Sequence, residues 1–545
     1  MTDINEIEDY VVNYIDEAIA NHWIEVYYQP VIRTITGDLC GSEALARWND
    51  PRYGLLSPFH FVPALEKSGD IYKLDLYIIE EVCKDMHTAL TTQCNAFPLS
   101  VNLSRLDFLN DDLVERINAL TKKYDVPQQF INIEITESIF VEDLGMIGKF
   151  IDAFHQSGYH VWMDDFGSGY SSLGVLKDFD FDEIKIDMSF LRNFNEKGKK
   201  IIESVVRMAK SIGIQTLAEG VETEEQYEFL KSIGCEKIQG YYFGKPIPKY
   251  HFLAHCQERG ITYEDVHFHH FYDEIGRIDY LTDSPLLVGT LKNKRFRFLY
   301  VNEAYKQVLK RDHIDSVEKW EQILNNPTDP MHQFHLNAAR KTLRRNKPTI
   351  VTYPRADHYM ELTVELIARQ GNVISFTAEL HYIDIKNPDQ EEISLDDQYV
   401  RDVYYVCHDL AVMDFKNDTI RELKSGNSNQ PIAHHHISHG IKDAFDRYCR
   451  SFIYKTDQES FERFYDFETL QDRIKNAPEG LISGYFRSKN DDGEYIWIHH
   501  MYIAIPQTNY QNILILAITA DMNQDKLIQL LKRDDVNVED VHLNC

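Results

Sequence analysis

Acidic side chains, or polar groups that can replace them, stand at the ends of successive apolar segments in the first half of the chain. The series consists of Glu43, Asn102, Glu134, Glu137, Asp164, Asp165, Lys185, Glu219 and Gln239. If these segments are strands of a closed barrel, their ends converge on one mouth, where the active sites of such barrels lie. Carboxylates crowded into one mouth repel each other strongly unless divalent cations or bound protons neutralise them. The series therefore predicts a metal site.

The residue types in the series favour magnesium or manganese. Hard divalent ions of this kind prefer carboxylate, amide and water oxygens, and the series contains no histidine, which disfavours zinc. A carboxylate such as Asp164 can bridge two metal ions about 3.5–4 Å apart, the usual spacing in sites that cleave phosphodiesters. Two such ions would lower the pKa of a bridging water and neutralise a phosphate next to it.

Lys185 is the only cation of the series and lies in the otherwise apolar run Ile184-Lys185-Ile186. A lysine at the rim of a barrel can extend its ammonium group into solvent. In a mouth rich in carboxylates, it would instead remain cationic, orient a nucleophilic water and offset developing negative charge.

Each residue also has a simpler interpretation when it is taken alone. Glu43 and Arg47 could form a surface ion pair, and Asn102 could stabilise a turn. Glu134 could lie on the solvent-facing side of a strand, and Asp164 could begin a glycine-rich turn. None of these interpretations explains why the groups recur at the same end of successive segments, and this recurrence is the basis for predicting a site.

Strand-like and helix-like segments alternate from about Ile24 to Pro248. The predicted strands are 26–32, 39–47, 99–102, 131–135, 160–163, 183–188, 215–218 and a short one at Ile238. Strands that alternate with helices indicate βα units around a parallel sheet, and about eight of them favour an α/β fold of the TIM-type (β/α) barrel class. No glycine-rich phosphate-binding motif follows the first strand, which counts against a dinucleotide-binding fold.

The character of the sequence changes after Lys249, and two α+β modules are predicted there. In each module an early strand is followed by helices and then by late strands, and an acidic link at 387–392 separates the two. The runs YVNEA at 300–304 and DGEYIWI at 492–498 make both modules similar to PAS sensor domains. The predicted domains are therefore 1–258, 275–386 and 396–535.

Composition and charge narrow the function classes. The chain has 545 residues, of which 43% are apolar and 12% aromatic, which suits packed cores in about three domains. Its net charge of −30 argues against binding a nucleic-acid polymer. No apolar stretch approaches the ~20 residues of a membrane span, and the first nine residues lack the features of a signal peptide. The eight cysteines include no CxxC pair, which is typical of reduced thiols in a cytoplasmic protein.

Eight motifs in the first half of the chain occur in the order and at the spacing of one known family. They are YQP at 28–30, EALARW at 43–48, VNLS at 101–104, EITES at 134–138, DDFGSGYSSL at 164–173, IKID at 184–187, AEGVET at 218–223 and QGYYF at 239–243. Over about residues 20–255 the chain thereby resembles the EAL domain of cyclic di-GMP phosphodiesterases. Ala46 stands where a larger aliphatic residue is common in the family, and we expect it to alter only local packing.

The resemblance implies that the protein hydrolyses cyclic di-GMP to linear pGpG with two Mg²⁺ or Mn²⁺ ions. The implied ligands of one ion are Glu43, Asn102, Glu134 and Asp164, and those of the second include Asp164 and Asp165, while Glu219 is implied as a metal ligand or general base. Lys185 and Gln239 would position water, and Glu137 would hold the loop 165–172. The implied substrate contacts are Gln29, Leu45, Arg47 and Pro246, with Arg47 contacting a phosphate. EAL and PAS domains often dimerise, so a homodimer is compatible with the resemblance.

A receptor that binds cyclic di-GMP without hydrolysing it is the main alternative. Degenerate family members of this kind lose metal ligands or the loop motif, whereas this chain retains every catalytic position of the family. A cyclase is disfavoured because the chain has no Gly-Gly-Asp/Glu-Glu-Phe signature. The histidines 434–436 with His439 are more simply a polar loop than a metal site, and Cys407 is more simply a buried thiol than a redox group.

Overall fold

The computed structural model describes residues 4–92, 96–137, 139, 144–168, 172–192, 194–355, 358–383, 409–424, 437–477, 480–489, 493–504 and 512–519. The chain divides into two compact units, Met1–Asp283 with Ile367–Ser375 and Ser284–Leu366 with Phe376–Cys545. The histidines 434–436 and Cys407 lie outside the described residues. None of the described helices combines the length and the apolar character that a membrane span requires.

Ten strands form the sheet of the first unit. They are β1 (Ile24–Arg33), β2 (Leu39–Asp50), β3 (Gly54–Leu56), β4 (Leu99–Leu103), β5 (Ile131–Thr136), β6 (His160–Phe166), β7 (Glu183–Ile186), β8 (Gln215–Ala218), β9 (Lys237–Gln239) and β10 (Ile247–Pro248). The strand order is β10-β1-β9-β8-β7-β6-β5-β4-β2-β3, and the pairing of β1 with β2 closes the sheet into a barrel. This confirms the predicted TIM-type barrel. The sheet is not all-parallel, because β1 runs antiparallel to both β2 and β9. The short edge strands β3 and β10 also form antiparallel pairs, with β2 and β1 respectively.

Helices alternate with these strands along the chain. They are α1 (Ile4–Ala20), α2 (Pro58–Ser68), α3 (Ile71–Thr91), α4 (Leu113–Lys123), α5 (Leu144–Ser157), α6 (Ser172–Asp178), α7 (Ser189–Arg192), α8 (Glu196–Ser211), α9 (Glu224–Ser232), α10 (Lys249–Glu258) and α11 (His269–Gly276). On β5, Ile131, Ile133 and Ile135 are fully buried in the core that the helices share. Because side chains alternate along a strand, Glu134 is directed to the other face, which lines the barrel interior.

The barrel interior is layered for the same reason. An apolar layer is formed by Val31, Cys40, Trp162 and Leu217. On β1, Val31 lies between Gln29 and Arg33, which belong to polar layers on either side of it. We call the layer at the carboxyl ends of the parallel strands the mouth and the opposite layer the floor.

The floor is held by buried ion pairs. Arg33 is 2% exposed, and its guanidinium lies 2.9 Å from Glu264 and 2.8 Å from Asp273 of α11. Lys237, the first residue of β9, lies 2.5 Å from Glu183, the first residue of β7. The chain that follows the barrel strands therefore supplies two of the carboxylates that neutralise the floor.

The stabilisation that Asp273 contributes to the floor depends on pH. Although burial raises the pKa of its carboxyl, the charges of Arg33 and Lys237 lower that pKa from 3.8 to about 2. The folded state thus binds this proton more weakly than the unfolded state, so the stabilisation is present above about pH 4 and is lost as the pH falls towards 2. We expect Asp273→Asn to lower the stability of the first unit by roughly 2 kcal/mol at pH 7, and the difference from the wild type to shrink steadily below pH 4.

Hydrogen exchange of the β1 amides measures this difference without requiring the whole chain to unfold in one step. Asp279→Asn is the matched control, because Asp279 is 56% exposed and its ion pair with Arg207 has a separation of 3.8 Å. A pH-independent effect of Asp273→Asn would contradict the expected linkage.

Two α+β modules with separate sheets follow, and they belong to the second unit except for residues 367–375, around the turn between β14 and β15. The first module has strands β11 (Leu286–Lys292), β12 (Arg295–Val301), β13 (Thr349–Arg355), β14 (His358–Gln370) and β15 (Val373–Ile383), with helices α12 (Glu303–Arg311), α13 (Val317–Leu324) and α14 (Pro330–Arg345). The second has strands β16 (Asp409–Asp414), β17 (Thr419–Lys424), β18 (Ile437–His439), β19 (Leu481–Lys489), β20 (Tyr495–Ala504) and β21 (Asn512–Thr519), with helices α15 (Ile441–Phe452), α16 (Gln458–Phe464) and α17 (Phe467–Asn476).

The two sheets share one topology. Their strand orders are β12-β11-β15-β14-β13 and β18-β17-β16-β21-β20-β19, which differ only by the added short edge strand β18. In both modules the helices fall between the early and the late strands. The predicted α+β class is thus confirmed for both modules, while the boundaries predicted at 386, 396 and 535 fall on residues outside the described ranges.

Candidate active site

Lys185 of β7 lies at the centre of the mouth and is 1% exposed. Its Nζ atom is 2.6 Å from Glu134, 2.9 Å from Glu219, 3.0 Å from Asp164 and 3.6 Å from Glu43. The four carboxylates come from β5, the end of β8, β6 and β2, which are separate strands of one barrel. The lysine therefore does not extend into solvent at the rim, and the barrel brings together side chains that are far apart in sequence.

One ammonium group neutralises only part of this negative charge. Burial raises the pKa of Glu219 to about 7, with Asp164 and Glu43 adding to the rise and Lys185 opposing it. Burial and the neighbouring Glu43 likewise raise the pKa of Glu134 well above its usual value. Burial lowers the pKa of Lys185, but the surrounding carboxylates raise it well above normal, so this residue stays cationic. The site therefore favours further positive charge, as protons or as metal ions.

Asp164 and Asp165 both reach the mouth although they are adjacent on β6. In a regular strand, neighbouring side chains lie on opposite faces. Here the pairing of β6 with β7 is irregular between Met163 and Phe166, and Asp165 has a left-handed φ of 55°. Such backbone costs energy and is typical of functional sites. Burial and the charges of Asp164 and Asp187 raise the pKa of Asp165 to about 6.

Amide side chains orient Glu43 from two sides. Asn102 donates to Glu43 Oε1 at 2.9 Å, and Gln239 donates to Glu43 Oε2 at 2.6 Å. Gln239 also donates to Gln29 Oε1 at 3.1 Å, and Gln29 donates to the Gly244 carbonyl at 3.2 Å. The antiparallel strand β1 thereby contributes Gln29 to the same network as the parallel strands.

The oxygen atoms of the mouth fit hard divalent ions. Ligand atoms of Asp164, Asp165 and Glu219 all lie within 4.8 Å of one another. Glu134 Oε1 is buried and receives no hydrogen bond from any described residue, which is costly unless a cation or a water supplies a partner. All the potential ligands are carboxylate or amide oxygens, the donors that Mg²⁺ and Mn²⁺ prefer.

Glu137 follows β5 directly and supports the turn after β6. It is 3% exposed, and its Oε2 accepts a hydrogen bond from the Gly167 amide at 3.3 Å. Gly167 has a φ of 92°, and a Cβ atom there would lie 2.5 Å from the Phe190 ring. Only glycine therefore fits this turn. Residues 169–171 of the same loop lie outside the described ranges.

The predicted substrate contacts lie around the mouth. The guanidinium of Arg47 lies 5.6 Å from the centre of the Tyr27 ring. It also donates a hydrogen bond to the Ala46 carbonyl at 2.7 Å. No carboxylate of the described residues forms an ion pair with Arg47, so its charge is available to an anion. Leu45 is opposite Tyr27 in the pairing of β1 with β2, and Pro246 lies between β9 and β10. Both are partly exposed.

Three supporting residues were not singled out from the sequence. Asp187 raises the pKa of Asp165, and Tyr27 lies beside the Arg47 guanidinium. Gly240 packs so closely that a Cβ atom would lie 2.1 Å from the carbonyl oxygen of Val221. Asp187 and Gly240 each belong to one of the family motifs, IKID at 184–187 and QGYYF at 239–243, but no role was assigned to either residue from the sequence.

Comparisons with known proteins identify the first unit. The family model of the EAL domain matches residues 12–246. The oxygen sensor protein DosP of Escherichia coli K12 is 38% identical over 234 residues, which are 43% of this chain and 29% of that protein. The bifunctional diguanylate cyclase/cyclic di-GMP phosphodiesterase MucR of Pseudomonas aeruginosa is 32% identical over 240 residues, 44% of this chain and 35% of that protein.

A further curated relative is the probable cyclic di-GMP phosphodiesterase PdeB of Escherichia coli K12, 33% identical over 45% of this chain and 46% of that protein. The matches thus span less than half the length of each of these relatives. A solved structure described as PaMucR phosphodiesterase in complex with c-di-GMP is 31% identical and covers 45% of this chain and 99% of its own, with a TM-score of 0.43. Residues 12–246 of this chain are therefore an EAL domain.

Proposed function

We propose that this protein is a metal-dependent phosphodiesterase that hydrolyses cyclic di-GMP to linear pGpG. The observation that carries the proposal is the mouth of the barrel, where Lys185 is buried among four carboxylates. A site that only bound the nucleotide would not require this costly concentration of charge. Relatives named as cyclic di-GMP phosphodiesterases support the choice of substrate.

Two ions, Mg²⁺ or Mn²⁺, would be held by the oxygens of the mouth. The proposed ligands are Glu43, Asn102, Glu134 and Asp164 for one ion and Asp164, Asp165 and Glu219 for the other. When bound, the ions supply a water of lowered pKa and neutralise the charge of the phosphate. Glu219 would act as a ligand or as a general base, and its pKa of about 7 in the metal-free site is in the range at which a general base works.

The side chains of this protein would position the reactants around those ions. Lys185 would hold the attacking water and offset the negative charge that develops on the phosphate. Gln239 Oε1 is buried without a hydrogen-bond donor among the described residues, so it can accept a hydrogen bond from the same water. Arg47 would bind a phosphate of the substrate, and Gln29, Leu45 and Pro246 would contact the remainder of the nucleotide.

The direct test is an assay of the full-length protein with cyclic di-GMP, with products resolved by chromatography. We expect pGpG to form with Mg²⁺ or Mn²⁺ and to disappear with excess chelator. The second candidate function is a receptor that binds cyclic di-GMP without hydrolysing it. Calorimetry of the same samples measures binding of the nucleotide and so distinguishes the receptor from the enzyme. Metal-dependent binding of the nucleotide without turnover, by the full chain and by residues 1–283, would replace the enzyme with a receptor.

Glu137 is expected to affect turnover through the loop that it supports. Glu137→Ala removes the acceptor of the Gly167 amide and should lower kcat about 10–100-fold, the usual effect of losing a group that orients metal ligands. Glu137→Gln keeps an acceptor oxygen and should restore part of the loss. Steady-state kinetics at saturating metal tests this expectation, and equal kcat values for Glu137→Ala and the wild type would exclude the role.

We further propose a cytoplasmic location and control of the barrel by the second unit. The described cysteines Cys40, Cys83, Cys235, Cys256 and Cys449 are all buried free thiols, which suits a reducing compartment. Deleting the second unit should change the rate of hydrolysis, and unchanged kinetics of residues 1–283 would argue against such control. A homodimer would be detected by sedimentation of the intact chain.

A further inference from the structure

Two carboxyl groups share one backbone N–H just after the strand that carries Asn102. The N–H of Ser104 donates to Asp107 Oδ2 at 2.9 Å and to Asp75 Oδ2 at 3.2 Å. Asp107 begins a single 3₁₀ turn, and a side chain three residues after the donor often accepts such a bond where a helix starts. Asp75 lies in the second turn of α3, so helix capping does not explain why its carboxyl group accepts from the same donor.

A third carboxylate adds to the negative charge around Ser104. The Ser104 hydroxyl donates to Glu66 Oε1 of α2 at 2.7 Å. The neighbouring charges that act most strongly are Asp107 and Glu66 on Asp75, and Glu66 on Asp107. Among the described residues, these three carboxylates do not form a group whose ligand atoms lie close enough together to hold a metal ion. Neither a side-chain cation nor a metal ion is therefore placed to neutralise the group, which leaves a proton.

One oxygen of Asp107 indicates where that proton lies. Asp107 is 0% exposed, and its Oδ1 accepts no hydrogen bond from any N–H or hydroxyl of the described residues. Burying an acceptor without a donor is costly. The carboxyl group of Asp75 lies within hydrogen-bonding reach of Asp107. A proton on Asp75 therefore supplies the donor that Asp107 Oδ1 lacks.

The electrostatics of the two aspartates agree with this arrangement. Burial and the Asp107 carboxylate raise the pKa of Asp75 well above its usual value, and burial raises the pKa of Asp107 as well. Two carboxyl groups in one buried site do not both ionise readily, because like charges at this distance repel strongly. They gain and lose protons as a pair. The pair therefore keeps one proton at pH values at which an exposed aspartate has lost its own.

We propose that Asp75 and Asp107 share one proton and act as positioning residues, which fix the end of β4 so that Asn102 keeps the place in which it can ligate a metal ion. This rests on the proposed function, in which Asn102 is a metal ligand. The shared proton lets both carboxyl groups stay on the Ser104 N–H. Without the proton they would repel each other, and the end of the strand would lose this anchor.

The position of the anchor explains how it reaches the mouth of the barrel. Asn102 lies two residues before Ser104, opposite Glu134 in the pairing of β4 with β5, and it donates to Glu43 at 2.9 Å. The pairing of β4 with β5 ends at Leu103. The hydrogen bonds to Ser104 are therefore the next contacts that hold the chain, and their loss should let Asn102 shift away from Glu43.

Calorimetric titration of the full-length protein with Mn²⁺ at pH 7 tests the positioning role. Asp75→Ala removes the donor to Asp107 and should weaken Mn²⁺ binding about tenfold, the lower end of the usual effect of groups that orient metal ligands. Asp75→Asn keeps an N–H donor and a carbonyl acceptor, as the protonated acid does, and should bind Mn²⁺ as tightly as the wild type. Asp111→Ala, at an exposed position, is the control and should change nothing.

Two results of this titration would overturn the positioning role. One is wild-type Mn²⁺ affinity of Asp75→Ala, because a residue that only stabilises the fold would leave the affinity of the folded protein unchanged. The other is an equal loss of affinity in Asp75→Asn and Asp75→Ala, because an amide that cannot replace the carboxyl group would show that Asp75 does not act as a proton donor.

Hydrogen exchange of residues 99–109 tests the shared proton itself. Because the pKa of the pair is raised on folding, the stabilisation from the proton is complete below the unfolded pKa of about 4 and is lost as the pH rises through the folded pKa. Asp75→Asn carries no such proton, so its protection relative to the wild type should increase between pH 4.5 and pH 7. The carboxylates of the mouth affect both proteins equally. A ratio of protection that does not change with pH would overturn the shared proton.

Neither measurement requires hydrolysis, so the role of Asp75 and the proposed function can fail separately. A wild type that bound Mn²⁺ without turnover would make the protein a receptor, and the variants would still decide the role of Asp75. A wild type that bound no Mn²⁺ would exclude both the metal site and the positioning role. If Asp75→Ala does not fold, the exchange comparison of Asp75→Asn with the wild type decides alone.

Discussion

Replacing Asp164 with asparagine is expected to lower kcat for cyclic di-GMP about 10³-fold, while the metal-free protein remains at least as stable as the wild type. The loss of activity follows because Asp164 is the proposed ligand shared by both ions, and metal ions supply several kcal/mol of transition-state stabilisation. At 1.36 kcal/mol for each factor of ten, a loss of about 4 kcal/mol corresponds to this decrease.

The expectation for stability follows from the crowding around Lys185. The charge of Asp164 raises the pKa values of both Glu134 and Glu219, which means that these carboxylates repel each other in the metal-free fold. Asparagine keeps the oxygen that faces Lys185 at 3.0 Å but removes one negative charge. Function and stability should therefore change independently, as is common where a site holds concentrated like charge.

Steady-state kinetics with Mn²⁺ measures kcat, and thermal unfolding in excess chelator measures the stability of the metal-free protein. Asp180→Asn is the control, since Asp180 is exposed and precedes β7 at the floor end of the barrel; it should leave both unchanged. If Asp164→Asn hydrolysed the substrate at the wild-type rate, Asp164 would not be a ligand of the reacting ions. A large loss of stability without metal would show that the carboxylate is a structural element of the fold.

A fragment of residues 1–283 should fold and retain the barrel, whereas a fragment of residues 1–260 should lose about 3–5 kcal/mol of stability. The shorter fragment lacks Glu264 and Asp273, the ion-pair partners of Arg33. Arg33 is 2% exposed, and removing the partners of a buried charge is strongly destabilising. Because whole domains are stable by only about 5–15 kcal/mol, this loss is a large share of the total.

Arg33→Met provides a control, because it should change the stability of the two fragments in opposite directions. In residues 1–283 it should destabilise the fold, because two buried carboxylates lose their partner. In residues 1–260 it should stabilise the fold, because it removes the charge that has no partner. Urea unfolding followed by circular dichroism tests both expectations. Equal stability of the two unsubstituted fragments would show that the residues after 260 do not hold the floor of the barrel.

Much of the first unit could be predicted because its strands follow a simple rule. Apolar runs ending in a carboxylate or amide identify β4, β5, β6, β8 and β9 and also indicate which ends converge. Gly69 ends α2 in the left-handed conformation, and a glycine in such a position is a local signal for the end of a helix. For both modules of the second unit, the predicted order of an early strand, then helices, then late strands agrees with the structure.

Other features depend on contacts that the sequence does not display. The antiparallel direction of β1 is set by its pairing with β2 and β9, and its apolar run looks like that of a parallel strand. The irregular backbone at Asp165 cannot be read from two adjacent aspartates, because either one could have faced away. Arg33 gave no signal as part of the floor, since its partners follow more than 200 residues later.

Strand β1 carries two polar anchors that serve different purposes. Arg33 is held by the chain segment that leaves the barrel towards the second unit, and Gln29 is bonded to Gln239, which bonds Glu43. The two anchors are four residues apart, or about 13 Å of extended backbone. Because β1 carries both residues, we expect a displacement of the segment at 264–273 to shift the side chains that orient Glu43. Strand β1 is thus a direct covalent connection between the chain that follows the barrel strands and the proposed site.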